Sequence, residues 1–98
     1  MHQILFSEEA KKDFIAAYNW YESIRQGLGA EFELSIDASI LYIARNPSIF
    51  QKRYKTIRVC FIDRFPYGIH YFIDKKVIRV LAIFHTNKNP TNWDIIKT

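Results

Sequence analysis

Residues 7–47, SEEAKKDFIAAYNWYESIRQGLGAEFELSIDASILYIARNP, decide the fold class. Ser7 is an N-cap residue whose side chain can accept from the orphan amides of a first turn. Glu8 and Glu9 follow where the helix dipole favours negative charge. Ala10 stands where a capping box would need Glu or Gln. Ala10, Phe14, Ala17, Tyr21 and Ile24 then recur at spacings of three and four, one apolar stripe of an amphipathic helix, with Tyr18 and Trp20 widening it. Gly27-Leu28-Gly29 stops this helix, Gly27 being the left-handed residue after its end. A second stripe, Phe32, Ile36, Ile40 and Ile43, with Leu34 and Leu41 beside it, runs to Asn46-Pro47, where the proline forces the chain out of the α region. Two helices joined by so short a turn form an antiparallel hairpin.

On both sides of the hairpin the period changes. His2–Phe6 reads as a short strand running into the Ser7 cap. Downstream, 56–62 (TIRVCFI), 67–73 (YGIHYFI) and 77–84 (VIRVLAIF) are rich in β-branched and aromatic residues. Asp74-Lys75-Lys76 joins the last two strands into an antiparallel hairpin, and Phe65-Pro66 makes a tight corner between the first two. In the last strand nearly everything except Arg79 is apolar, as in a central strand covered on both faces. Pro90 closes the strand region, and 91–96 reads as a helical turn or a tail that Trp93 anchors to the sheet. The order β-α-α-β-β-β predicts one α+β domain over residues 1–98. Its helical hairpin packs on a twisted, mainly antiparallel sheet.

Composition narrows the function classes. The chain has 98 residues, 49% apolar and 24% charged, with three Gly and three Pro, which excludes disorder and low complexity. No apolar run reaches membrane-spanning length and no secretory leader is legible, so neither a membrane span nor secretion is expected. A single cysteine, Cys60, excludes a disulfide framework and a thiolate zinc site and points to a reducing, cytoplasmic compartment. His2, His70 and His85 lack metal-ligand spacing. No phosphate loop or hydrolase motif occurs, so no metal or cofactor is expected.

Charge is lopsided. Residues 1–44 hold three Lys/Arg against seven Asp/Glu, and residues 45–98 hold eleven against three. A basic second half suits an anionic partner, and Lys52, Arg53, Lys55, Arg58 and Arg64 are its densest cluster. For these side chains, anion capture and plain solvation both remain open on sequence grounds. Arg79 reads as a cation covering the sheet with its aliphatic stem, and Cys60 as a buried, inert thiol. His70 either faces solvent or satisfies a local hydrogen bond. His85 ends the last strand, where a histidine can act as general acid or base or merely cap a carbonyl.

From Ala10 to Phe32 the pattern AxxDFxxAxxWYExxxxGLGxxF resembles the helical hairpin of the RelE/ParE superfamily of type II toxins. Asn46-Pro47, then Arg58 and RFPYGIHY (64–71), then IRVLAIFH (78–85) with Lys88-Asn89-Pro90 and Trp93, are similar to the rest of its signature. The resemblance spans nearly the whole chain. It implies a compact growth-inhibiting toxin neutralised by a cognate antitoxin, of the kind found in plasmid stabilisation systems. An antitoxin segment would lie on the helical hairpin, against Phe14, Tyr18, Trp20 and Tyr21, and often adds a strand to the sheet.

Within that superfamily the residues favour the ParE branch, which poisons DNA gyrase without chemistry of its own. Where ribosome-dependent nucleases carry an arginine in strand three, this chain has Tyr67; the arginine expected after the last strand is Asn87, and the C-terminal tyrosine aligns with Trp93. Target or anion binding then falls to Lys52, Arg53, Lys55, Arg58, Arg64, Lys88 and Trp93. Two alternatives stand beside this reading: a ribosome-dependent mRNA endoribonuclease using His85 with Lys52, Lys55 and Arg58, and a non-toxic member that acts only as a binding module. The usual basic pair before the proline is reduced to Lys88-Asn89, a departure that bears on potency.

Overall fold

The computed structural model describes residues 2–87. Seven elements follow in order: β1 (Gln3–Phe6), α1 (Glu8–Ile24), α2 (Leu28–Arg45), β2 (Lys52–Tyr54), β3 (Ile57–Phe61), β4 (Tyr67–Asp74) and β5 (Val77–His85). The strands form one mixed sheet in the order β1-β5-β4-β3-β2, in which only the β1–β5 pair is parallel. The α+β class and the helical hairpin agree with the sequence reading. β2 is an addition to it. Three polar-ended residues, Lys52-Arg53-Tyr54, show no apolar alternation, so only their pairing with β3 reveals a strand.

Ser7 caps α1 as expected, its Oγ accepting from Ala10 N–H at 3.0 Å. The helix ends with the last residue of its stripe, Ile24, short of the Gly27 stop. Arg25 is the C-cap, Ile24 is exposed, and Gly27, at φ +90°, is the N-cap of α2 and not the residue just after α1. Leu28 and Gly29 accordingly begin α2 instead of stopping α1. Glu22 reaches across from α1 and accepts from Gly27 N–H and Gly29 N–H, both at 2.9 Å, and so caps α2 from outside. At Gly29 a Cβ would stand 2.9 Å from the Tyr18 carbonyl oxygen, which explains the glycine at this close approach of the two helices.

Ala10, Ala17, Phe32, Ile36 and Ile43 pack on Cys60, Ile69, Tyr71, Ile78, Val80 and Ile83 of the sheet. Trp20 does not widen this face; it is 61% exposed. The unbroken apolar run of β5 has a specific cause. Ile69 pairs with Ile83 and His70 with Ala82, but Tyr71 pairs with Val80, so Leu81 is an extra, bulged residue. The bulge resets the alternation, and Ile78, Val80 and Ile83 all face the helices while Arg79, Ala82 and Phe84 face away. Beyond the end of β1, the start of α1 completes the edge of β5. Ser7 N–H donates to Val80 O at 2.9 Å, Ser7 Oγ to Leu81 O at 2.9 Å, and Asp13 Oδ2 accepts from Ile83 N–H at 3.0 Å. Among the described residues no helix is long and apolar enough to cross a membrane.

Candidate functional site

The strand register separates the sheet into two ends. At one, the start of β4 meets the end of β5, and Tyr67 pairs with His85. Their rings cross edge-on at 5.2 Å between centroids, beside a cleft of about 240 Å³ lined by Asp13, Ala16, Ala17 and Ile83. Burial, and then the Asp13 carboxylate, push the Tyr67 phenol above its ordinary range. His85 Nδ1 accepts from Asn87 N–H at 3.0 Å, so its lone pair is used and the neutral ring carries its proton on Nε2. A base in that state has to surrender the Asn87 bond before it can take a proton.

At the same end Arg64, at φ +72°, donates to Glu31 Oε1 at 2.7 Å and lies over the Phe65 ring. Arg25 donates to the other oxygen of Glu31 at 2.9 Å. The hydrogen bonds from Arg64 and Arg25 hold the Glu31 carboxyl below the usual carboxylate range.

The cations grouped by sequence are therefore not one surface. Lys52, Arg53 and Lys55 are exposed on the β2 edge and its turn, with Arg53 over the Phe61 ring at 5.5 Å. Arg58, next to them in sequence, turns toward the chain that follows α2, donating to Phe50 O at 2.6 Å and Ser48 O at 3.2 Å. Arg64 is at the other end with Glu31. The eight residues of β4 separate Lys55 from His85, about 20 Å of strand. Lys88 and Trp93 lie outside the described residues.

His70 satisfies a local hydrogen bond, the second of its two expected settings. It is 1% exposed, and its Nδ1 stands 2.9 Å from Tyr54 Oη. Burial lowers its pKa to about 4, so it is neutral at pH 7. Cys60 is buried, and burial pushes its thiol up to about 11, the inert state expected of it. Among the described residues no cluster of His, Cys, Asp or Glu could hold a metal ion.

One feature escaped sequence reasoning. β2 pairs with β3 only through Lys52–Arg58 and Tyr54–Ile57, so the outer edge of Val59–Phe61 has no strand partner among the described residues. That edge borders a groove of about 630 Å³ between α2 and β3, lined by Leu34, Ala38, Tyr42, Phe50, Cys60 and Phe61, with Glu31 and Asp63 at one rim. Leu34 is 68% and Phe61 48% exposed. A signal existed: Leu34, which lines this groove, sits off the core stripe of α2 and had no assigned neighbour. Of the four aromatics expected to meet an antitoxin, Phe14 and Tyr21 stack within the core on Phe32, Tyr18 is half-buried, and Trp20 alone is openly exposed.

The sequence model of the family described as "ParE toxin of type II toxin-antitoxin system, parDE" matches residues 4–90. A chain of the chromosomal ParDE TA system from P. aeruginosa superposes with a TM-score of 0.77 at 16% identity, covering 89% of this chain and 98% of that one. The isolated E. coli RelE toxin superposes with a TM-score of 0.66, also at 16% identity, covering 97% and 95%. No curated protein sequence matches the chain.

Proposed function

This chain belongs to the ParE toxin family of type II toxin–antitoxin systems, and from that membership we propose that it arrests growth by binding DNA gyrase, without chemistry of its own, in a system that stabilises plasmids or other replicons. The toxin class and an antitoxin partner follow from the family; the target is our reading. One observation carries it: the free cations Lys52, Arg53 and Lys55 sit on β2 and its turn, with β3 and β4 between them and the candidate acid–base residue His85 on β5. In-line cleavage of RNA needs a base at the attacking hydroxyl and cations on the same phosphate. Here His85 Nδ1 is engaged by Asn87 N–H, and Arg58, on β3, is held by two carbonyls.

The antitoxin segment, on this reading, occupies the α2–β3 groove. An extended stretch pairs with the free edge of Val59–Phe61 while apolar side chains cover Leu34, Ala38, Tyr42 and Phe61. Apolar anchoring then dominates affinity, and raised salt weakens the complex only modestly.

A gyrase supercoiling assay run beside cleavage of mRNA on translating ribosomes tests the target. Inhibited supercoiling with intact transcripts is expected, and His85→Ala should leave toxicity unchanged. Cleaved transcripts with supercoiling untouched would establish the endoribonuclease alternative. Induced expression without any growth defect would leave only a binding module.

A further inference from the structure

At the end of the sheet opposite His85, four elements bring cations together. The hairpin β2–β3 turns through Lys55-Thr56, flanked by the pair Tyr54–Ile57. The hairpin β4–β5 turns through Lys75-Lys76, flanked by Asp74–Val77. β3 and β4 are neighbours in the sheet, so the two turns point the same way about 10 Å apart, two strand spacings. The start of β1 closes the gap to α2: His2 N–H donates to Ala44 O at 3.3 Å and Gln3 N–H to Lys76 O at 3.2 Å. Arg45, the last residue of α2, thereby joins the row.

All four side chains, Arg45, Lys55, Lys75 and Lys76, are exposed, and none forms an ion pair among the described residues. The nearby carboxylate, Asp74, is held by Arg79 at 3.2 Å. Both hairpins also place lysine at the left-handed turn position, Lys55 at φ +49° and Lys75 at φ +57°. Glycine or asparagine takes that conformation more cheaply, and two-residue hairpins normally use them there. Repulsion among unpaired cations and the backbone conformation thus both oppose these side chains, at two turns independently.

We infer that this end of the sheet is a docking site for the phosphate backbone of duplex DNA. Duplex DNA carries one charge per ~1.7 Å of axis, so a row of four cations meets several phosphates at once. Tyr54, the aromatic beside Lys55, is tied to His70 and so is not offered to an unpaired base. Contact of this kind positions the protein without reading sequence. The inference stands apart from the choice of gyrase as target and does not involve the groove assigned to the antitoxin.

Fluorescence anisotropy of a labelled random-sequence duplex, with the full chain, tests it. About four phosphate contacts predict that binding weakens roughly a hundredfold between about 50 and 200 mM salt. Lys75→Glu with Lys76→Glu should weaken binding at least about tenfold, while Lys11→Glu with Lys12→Glu, the same change of net charge on α1, should weaken it less than about threefold. Lys55→Gly with Lys75→Gly relieves both turns. It should raise Tm by a few degrees and still weaken DNA binding, so a loss of affinity cannot be put down to misfolding. Equal losses in the two glutamate pairs would overturn the site, because binding would then follow net charge. So would absence of binding by the unaltered protein, or tighter binding of a single-stranded RNA of equal length.

Discussion

Arg64 and Lys75 are both cations on exposed turns, with φ near +72° and +57°, and they lie at opposite ends of one strand, β4. Arg64 is taken up by the fold: Glu31 accepts from it and Phe65 lies under it. Lys75 has no such partner among the described residues. The difference comes from α2, which runs between the two ends. Its first turn carries Glu31 and its last turn Arg45, the arrangement a helix dipole favours at each terminus. A local rule of helix charge therefore acts on the whole molecule. It neutralises the cations near the start of β4 and adds to those at the far turns. Net charge alone describes neither end.

The largest way to break this comparison is to collapse the neutral end. Phe32 is fully buried and packs on Phe14, Tyr21, Phe65 and Tyr67. Phe32→Ala should cost about 3–5 kcal/mol in chemical denaturation and loosen the Phe65 corner that carries Arg64. Duplex binding by whatever remains folded should persist, because the cationic turns are remote from the cavity.

Acidification acts between the two ends. With its folded pKa near 4, below the ordinary 6.5, His70 takes its proton in the unfolded chain first. Its contribution is present above pH 6.5 and is lost as pH falls toward 4, about 3 kcal/mol in all. Urea midpoints measured across that range should fall accordingly, and His70→Phe should flatten the curve over the same window. An unchanged slope would mean that other groups set the acid limb.

The smallest effect should sharpen the comparison most. Glu31→Gln frees Arg64 and Arg25 at the neutral end, and exposed pairs are weak, so Tm should drop by about a degree or two at low salt and less at high salt. Duplex affinity should then rise if the newly unpaired arginines extend the cationic surface, and stay constant if binding belongs to the turns alone. The site inferred above requires the second result.

Much of this was legible in residue order because it is local. Ser7, Glu8 and the spacing of Ala10, Phe14, Ala17 and Tyr21 mark α1, while Asn46-Pro47 ends α2. The β-branched runs mark three of the five strands among the described residues, and His2–Phe6 marks a fourth. Legibility stopped where a feature depends on pairing between distant segments. Lys52-Arg53-Tyr54 is a strand only because Arg58 and Ile57 lie beside it, and Leu81 is a bulge only because Tyr71 pairs with Val80. The five cations from Lys52 to Arg64 read as one cluster because sequence measures proximity along the chain. In space Arg58 turns to the carbonyls of Ser48 and Phe50, and Arg64 to Glu31.

Periodicity, capping and turn chemistry, which act over a few residues, thus determined the helical hairpin, the main strands and the α+β class from sequence alone; a chain-long pattern of residues pointed to the family. The tertiary structure alone decided which charges are neutralised and which remain free. That outcome depends on β1 returning to pair in parallel with β5 and on α2 spanning the sheet from Glu31 to Arg45. Coulomb interactions act through space, and they follow the fold rather than the order of residues along the chain.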